Sequence, residues 1–270
     1  NNQLYRATST DLPVPFTWNV ITGLPGLQDL NKIATSDNGQ KVLIIPNKGR
    51  IMYSNNFGVT FILVGPVISG ISNINGVTMM GNGVNQFIAV GVSPCQVQPC
   101  IAINREGNYI YMSSDNWATW KKVGAQRLWS SIAVTKNGKQ LVATDYYGHI
   151  HQSFDFGLTW GIQQPNMHPV HIAVSSTGTV QTIVSNGRGI YRSITSGNTW
   201  EFIPEVNNWN NIAMNGTGQY QTAVPYTGFI YVSTDIGITW LAKELSKHWR
   251  GIDMDETGQF QFAVALNDQI

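Results

Sequence analysis

The sequence has few charged residues, only two cysteines and no long apolar run. Asp, Glu, Lys and Arg make up 11% of its 270 residues, against about 25% in an average soluble domain. The 16 basic residues nearly balance the 15 acidic ones, so no overall charge attracts nucleic acid or an acidic membrane. No apolar stretch approaches the roughly 18 residues of a membrane-spanning helix. We therefore expect neither a nucleic-acid partner nor a membrane span.

The two cysteines, Cys95 and Cys100, stand close together in the stretch "CQVQPC". Neither has a His or a further Cys nearby at the spacing of metal ligands. We interpret the pair as a disulfide at a loop tip, with two free thiols as the alternative, and we predict no metal and no other cofactor. The opening "NNQLYRATST" has no initiator Met and no signal-peptide core, so we expect a mature or excised segment.

An eight-residue pattern, Ser-x-Asp-x-Gly-x-Thr-Trp, recurs along the chain. It reads "SFDFGLTW" at 153–160 and "STDIGITW" at 233–240, and diverged copies occupy 54–61, 113–120 and 193–200. The final aromatic residues include Trp120, Trp160, Trp200 and Trp240, each 40 residues after the one before. A repeat period near 40 residues is typical of propeller arrays.

One repeat period contains four short β-rich runs, "SIAV", "QLVAT", "HIHQS" and "LTWGI", separated by turn residues. We interpret each period as one four-stranded antiparallel blade. A glycine such as Gly138 permits a positive φ in the turn between strands one and two. The repeated motif falls in the turn between strands three and four. There the Asp, Ser and Thr side chains satisfy backbone groups of their own turn, and the Trp packs against the neighbouring blade.

The aromatic residues of the fourth strands number six: Trp18, Phe61, Trp120, Trp160, Trp200 and Trp240. The C-terminal tail supplies strands one and two of a last blade, and the N-terminus supplies its strands three and four. The sequence therefore predicts an all-β fold, one domain over 1–270, built as a six-bladed β-propeller whose last blade is closed by both termini. An insertion loop at about 91–108 carries the two cysteines.

The repeated motif resembles that of the Asp-box, or BNR-repeat, β-propellers, which include sialidases, sortilin-type receptors and photosystem II assembly factors. The resemblance extends over nearly the whole chain. In that family the motif turn lies on the blade periphery, away from the ligand, so the resemblance implies a structural brace and not a site. Asn56 and Thr195 replace the Asp, Trp117 replaces the Gly, and Phe61 replaces the Trp. A turn brace tolerates such losses, whereas a catalytic carboxylate does not.

We place the ligand face opposite the motif turns, on the loops between strands two and three and between blades. Trp129, Trp209 and Trp249 each stand three residues before a first-strand Ile. They either stack on a ligand or plug the central channel. Basic side chains on the same face suit an anionic group, although solvated loop cations are the alternative. The remaining predicted ligand-binding residues are Arg50, Arg188, Arg250, His149, Tyr147 and Tyr226.

Two functions are compatible with this face. A sialidase-like glycoside hydrolase needs an Arg cluster, an Asp acid/base and a Tyr nucleophile activated by Glu, and no Glu in the sequence pairs clearly with a loop Tyr. We favour a non-catalytic binding or scaffold propeller, with no catalytic residues, that recognises a glycan or a protein partner. The weakly charged surface, the cysteine pair and a glycosylation sequon at Asn215 favour an extracellular setting.

Overall fold

The computed structural model describes residues 3–9, 17–25, 30–46, 51–64, 74–80, 85–90, 108–113, 121–163, 167–205 and 207–266. These residues form antiparallel strands joined by turns and loops, with no helix among them. It follows that no described segment is a helix able to cross a membrane. The all-β prediction is confirmed for this part of the chain.

Four sheets are each made of four consecutive strands. In chain order the strands are β3 (Leu30–Thr35), β4 (Val42–Pro46), β5 (Ile51–Ser54) and β6 (Ile62–Val64); β7 (Ile74–Met80), β8 (Asn85–Val90), β9 (Asn108–Ser113) and β10 (Lys121–Arg127); β11 (Trp129–Val134), β12 (Leu141–Asp145), β13 (Ile150–Ser153) and β14 (Gly161–Gln163); β15 (Pro169–Val174), β16 (Gln181–Ser185), β17 (Gly189–Ser193) and β18 (Glu201–Ile203).

The fifth sheet has seven strands and contains both ends of the described chain. Its strands, in spatial order, are β19 (Trp209–Met214), β20 (Gln221–Pro225), β21 (Gly228–Ser233), β22 (Leu241–Met254), β23 (Phe260–Leu266), β1 (Gln3–Thr8) and β2 (Thr17–Ile21). Strand β22 pairs with β21 through its first half and with β23 through its second half. The sheet is therefore two four-stranded units that share one long strand.

The N-terminal strand β1 pairs antiparallel with β23, from Gln3 opposite Ala265 to Thr8 opposite Phe260. Leu4 and Ala7 are fully buried in this pairing. Strand β2 then pairs with the other edge of β1. Strands β22, β23, β1 and β2 are thus hydrogen-bonded in this order as one four-stranded unit.

The hydrophobic core lies between neighbouring sheets. Trp209 of β19 packs with Val184 and Ile190 of the sheet before it, and Phe262 of β23 packs with Met52 of β5. Each described core cluster combines residues from two four-stranded units in this way. In the cluster that contains Trp249, both units belong to the seven-stranded sheet. The first strands also contact one another in the order β3, β7, β11, β15, β19 and β22, and β22 contacts β3.

The repeated motif forms a turn between the third and fourth strands, as predicted. In the copy at 153–160, Asp155 accepts hydrogen bonds from Thr159 N at 2.8 Å, Thr159 Oγ1 at 2.5 Å and Ser153 Oγ at 2.8 Å. These bonds lower the pKa of Asp155 to about 2, with the Thr159 hydroxyl as the largest cause. Phe156 and Gly157 both have positive φ, 61° and 83°, which gives the turn its tight shape.

The two diverged copies that the structure describes, at 54–61 and 193–200, keep the same bonds with other atoms. Asn56 Oδ1 accepts from Thr60 N at 3.0 Å, and Thr195 Oγ1 accepts from Thr199 N at 2.9 Å. A hydrogen-bond acceptor at this position is therefore sufficient to form the turn, whether or not the acceptor carries a charge. This is the behaviour of a brace, and the motif turns contribute to the fold.

A chain of backbone hydrogen bonds joins the turns between the first and second strands of different sheets. Lys136 N donates to Ser176 O at 3.1 Å, Ser176 N to Gly216 O at 2.8 Å, Gly216 N to Glu256 O at 2.7 Å and Glu256 N to Asp37 O at 2.8 Å. The glycine two residues further on has positive φ in all five turns, as predicted. We call this chain of bonds the turn belt.

The first prediction concerns the tryptophan of the motif turn. Trp240 is 8% exposed, lies in the core between two sheets, and donates through Nε1 to Gly237 O at 3.1 Å. We expect Trp240→Ala to lower the free energy of unfolding by about 3–5 kcal/mol, because it leaves a large cavity. The adjacent Leu241→Ala is the matched control, since Leu241 is 64% exposed. Urea denaturation measures the free energy of unfolding of both variants. Equally small losses of stability in the two would contradict the role of Trp240 in packing between the sheets.

The second prediction concerns strand β1. Removing residues 1–9 exposes the edge of β23 and the core that Leu4 covers, so we expect aggregation or a large fall in melting temperature. Leu4→Asp tests the same contact without truncation and should also destabilise. Size-exclusion chromatography and thermal melting measure the effect. A truncated chain that stays monomeric and melts like the parent would show that the pairing of β1 with β23 is dispensable.

Candidate functional site

The predicted ligand face consists of the loops that join second and third strands, together with the connections between sheets. Its described part, which we call the loop face, comprises 146–149, 186–188, 207–208 and 226–227. The predicted residues Arg50, Cys95 and Cys100 lie outside the described residues, so the disulfide and the Arg50 contact remain predictions.

Backbone hydrogen bonds fix the loop face in position. Tyr146 N donates to Leu128 O at 2.9 Å, and Tyr226 N donates to Asn208 O at 2.8 Å. The carbonyl oxygen of Tyr226 in turn accepts from Trp249 N at 3.1 Å, on the next four-stranded unit. These bonds anchor the loops to the connections between sheets. The loops therefore present their side chains from a fixed backbone.

Aromatic side chains are exposed on this face. Tyr147 is 65% exposed, Tyr146 and Tyr226 are each 41% exposed, and Phe229 at the start of β21 is 44% exposed. Burial, and secondarily the nearby Tyr226, raise the pKa of the Tyr146 phenol. Together these rings form a surface suited to stacking and apolar contact.

The three repeated tryptophans are not part of that surface. Trp129, Trp209 and Trp249 are at most 1% exposed. Trp209 Nε1 donates to Glu205 O at 2.8 Å and Trp249 Nε1 to Gly228 O at 2.9 Å. Burial leaves neither ring face open for stacking, which corrects the ligand contact expected of them. They do not line the cavity between the first strands either, because each packs in the core between two four-stranded units.

The predicted cations are present on or beside the loop face. Arg188 is exposed, and Arg250 and His149 are half-buried. A lysine that sequence reasoning missed, Lys32 on β3, donates through Nζ to Arg250 O at 3.4 Å. Burial first, and the Arg250 charge second, lower the pKa of Lys32 to about 8. The available signal was a Lys inside the first strand "LNKIAT", directly before the apolar Ile33 and Ala34.

A narrow cavity of about 70 Å³ runs between the first strands of all the four-stranded units. His171 of β15 lines it, is 8% exposed, and has no hydrogen-bond partner at Nδ1. Burial and then the Lys32 charge hold the pKa of His171 well below its ordinary value. Asp253 of β22 also lines the cavity and accepts from Thr35 N at 2.6 Å and Thr35 Oγ1 at 2.8 Å. Burial raises the pKa of Asp253 to about 7 despite these bonds.

Under the loop face, one hairpin brings an aspartate and two histidines together. Asp145 Oδ2 lies 3.0 Å from His149 Nδ1 and 2.9 Å from His151 Nε2. Asp145 and His151 are buried, whereas the His149 side chain is 26% exposed. Burial alone would raise the pKa of Asp145, but hydrogen bonds from His151 and His149 hold it below its ordinary value. The side chains of Asp145, His149 and His151 are suitable ligands for a metal ion, although no metal ligand was predicted from the sequence.

The opposite end of the central cavity carries a second charged cluster. Lys136 Nζ pairs with Glu256 and lies 3.4 Å from Asp37 Oδ2. Ser176 Oγ donates to Glu256 at 3.3 Å. Burial, with the neighbouring Glu256 next, raises the pKa of Asp37 to about 6. Because these residues project from the turn belt, their bonds reinforce the contacts between blades.

The predicted glycosylation site Asn215 lies on this same side and is 4% exposed. Its Oδ1 accepts from Tyr220 N at 3.0 Å and from Thr217 Oγ1 at 3.3 Å. The side chain is therefore part of the turn that follows β19. Such burial corrects the expectation of a glycan there, because an attached sugar needs an accessible amide.

No protein-family model and no curated protein matches the sequence. The structure is similar to YCF48 bound to D1 peptide, with a TM-score of 0.55, 13% identity, and coverage of 92% of this chain and 96% of that one. It is also similar to the GH74 enzyme of Niastella koreensis, with a TM-score of 0.60, 14% identity, and coverage of 99% and 44%.

A third similar structure is the Cps50 (Swd1) beta-propeller domain of Myceliophteria thermophila, with a TM-score of 0.58, 10% identity, and coverage of 92% and 87%. At identities this low, the similarity shows that the fold is shared and carries no information about function. The chain has the β-propeller fold, and it spans less than half the length of the GH74 enzyme.

The third prediction uses the raised pKa of Asp253. The folded pKa is about 7 against an ordinary value of 3.8, so the folded protein binds this proton more tightly than the unfolded chain does. The carboxyl therefore reduces stability as the pH rises from about 4 to 7. Asn keeps an acceptor for Thr35 and carries no charge.

We expect Asp253→Asn to unfold like the parent near pH 4 and to gain roughly 2–4 kcal/mol over it by pH 8, at about 1.36 kcal/mol for each pKa unit. The comparison with the parent cancels the contributions of other titrating groups. Urea denaturation across this range measures the difference. A difference that does not change with pH would contradict a raised pKa at Asp253.

Proposed function

We propose that this chain is a non-catalytic binding propeller whose loop face recognises a segment of a partner protein. The observation that carries the proposal is the group of exposed tyrosines, Tyr146, Tyr147 and Tyr226, on loops held by backbone hydrogen bonds. Rigid aromatic side chains bind with little loss of conformational entropy and are frequent at interaction hot spots.

We infer that six four-stranded blades in a closed ring carry this face. Two observations support closure: the first strands contact one another in sequence, with β22 against β3, and a core cluster joins β23 to the sheet of β3–β6. The bonding of the motif turns supports membership of the Asp-box propellers. An extracellular setting is part of the proposal, on the grounds of low charge and the cysteine pair.

The cations beside the tyrosines indicate the chemistry of the partner segment. Arg188 is exposed, and Arg250 lies next to Lys32 at the end of the central cavity nearest the loop face. Each positive charge suits a carboxylate, and Arg can bind it through two parallel hydrogen bonds. We propose that the segment carries an acidic residue which these cations bind while its neighbours pack on the tyrosines. In the similar structure named above, YCF48 is bound to a peptide.

A glycoside hydrolase is the second candidate, because GH74 enzymes share the fold. Catalysis of that kind needs two carboxyl groups about 5–9.5 Å apart across an open cleft. Asp145 is committed to His149 and His151, and Asp37 and Glu256 share Lys136 on the opposite side. These bonds favour binding over hydrolysis.

The fourth prediction tests the loop face. Peptides selected from a random display library on the immobilised protein serve as the probe, and a glycan array and a fluorogenic sialoside are screened in parallel. We expect Tyr147→Ala and Tyr226→Ala each to weaken a selected peptide about 10-fold or more, measured by isothermal titration calorimetry. Arg188→Gln should weaken acidic peptides, with an effect that shrinks as salt rises.

Phe154→Ala is the matched control, because Phe154 is 56% exposed and lies in the motif turn at 153–160. It should bind as tightly as the parent. Selected peptides that lose affinity only with Phe154→Ala would place the partner on the motif-turn side. Binding to glycans alone would replace the protein partner with a carbohydrate, and turnover of the sialoside would favour the hydrolase.

A further inference from the structure

We propose that Asp145, His149 and His151 form a binding site for a divalent transition-metal ion such as Zn²⁺. Their candidate ligand atoms, Asp145 Oδ2, His149 Nδ1 and His151 Nε2, all lie within 4.8 Å of one another. The proposal does not depend on the proposed protein partner, since all three side chains belong to one hairpin.

The distances are close to those of a coordinated ion. With Zn–N and Zn–O distances of about 2.0–2.2 Å, ligand atoms in a tetrahedral set lie about 3.3–3.5 Å apart. The carboxylate oxygen is 3.0 Å from one ring nitrogen and 2.9 Å from the other, so it needs to withdraw by a few tenths of an ångström. The half-exposed His149 ring can rotate to bring its nitrogen closer to that of His151.

Two of the three ligands are held by the sheet. Asp145 ends β12, and His151 lies on β13 opposite Ala143 of β12. The His151 ring packs edge-on against Trp129, with ring centroids 4.8 Å apart. A ligand pair fixed by paired strands and by a buried aromatic ring loses little freedom when it binds a metal.

The backbone also orients the carboxylate. Asp145 Oδ1 accepts from Tyr147 N at 2.9 Å and from His149 N at 3.1 Å, which turns Oδ2 toward the two rings. Hydrogen bonds to the non-coordinating atom of a ligand are a regular feature of metal sites in proteins, because they fix the ligand's orientation. Here the loop backbone itself provides them.

The ligand set selects the class of ion. Two imidazoles and one carboxylate suit Zn²⁺ and other first-row transition metals, whereas Ca²⁺ and Mg²⁺ prefer oxygen ligands. The 26% exposure of the His149 side chain leaves a path from solvent to the site, and a water molecule would complete a tetrahedral set. A bound ion would fix His149, and with it the loop that carries the exposed Tyr147.

Titration of the metal-free full chain with ZnCl2 tests the site, in a Cys95→Ser, Cys100→Ser background that removes thiolate binding. We expect one equivalent of Zn²⁺ to bind with a micromolar or lower Kd. Titration with CoCl2 should give visible absorption bands of a bound Co²⁺ ion. Affinity for Zn²⁺ should fall at least 10-fold in His149→Ala and in Asp145→Asn.

His168→Asn is the matched control, because His168 is exposed and Asn tolerates its positive φ of 49°; it should bind like the parent. Since Asp145→Asn removes a buried acceptor, its fold is checked by circular dichroism. If it fails to fold, the half-exposed His149→Ala decides alone. Absence of stoichiometric binding in the parent, or undiminished binding in His149→Ala, would overturn the proposal.

Discussion

The turn belt is the interaction on which the rest of the structure depends. Each four-stranded unit buries its faces only against the neighbouring units. The stability of the fold therefore requires that neighbouring units keep a fixed position relative to one another. Glu256 N donates to Asp37 O at 2.8 Å, which extends the belt from β22–β23 to β3–β4. Because each bond uses backbone atoms, residues as different as Lys136, Ser176 and Gly216 make the same bond.

A second set of bonds joins the other ends of the first strands. The pairing register between first and second strands shifts near the start of each pairing. The shift follows the first residue of β11, β15 and β19, and it follows Trp249 in β22. Such a shift indicates a β-bulge at that position. The bulged Asn210 donates through Nδ2 to Trp249 O at 2.7 Å, and Asn75 donates to Trp129 O at 2.8 Å. Val170 occupies the same position and has no side-chain donor. The loop face is thus anchored where the strands begin.

Much of the fold could be predicted from the sequence, because the information is local and repeated. The 40-residue period, the turn glycines and the motif each depend on neighbouring residues, and they define the strands and their order. The direction of the side chains at Trp129, Trp209 and Trp249 could not be predicted in the same way. Their spacing from a first-strand Ile is the same in all three repeats, but the bulge between the two positions turns the ring into the core between four-stranded units.

The candidate sites were harder to predict because they depend on contacts across a hairpin or across the central cavity. Asp145 and His151 meet since β12 and β13 are paired and the loop between them is short. Lys32 and Arg250 are far apart in sequence and meet only because β3 packs against β22. In the sequence alone, Lys32 and Arg250 are isolated charges with no indication of a shared contact.

The repeats and the candidate sites therefore occupy different parts of each blade. The motif turns repeat similar residues, and the turn belt repeats the same backbone hydrogen bond between different residues, because each repeat makes the same contact with the next. At the loop face, Tyr146, Asn186 and Tyr226 occupy equivalent places after the second strand. Their side chains are exposed, so chemistry that recognises a ligand can differ from blade to blade at little cost to the stability of the fold.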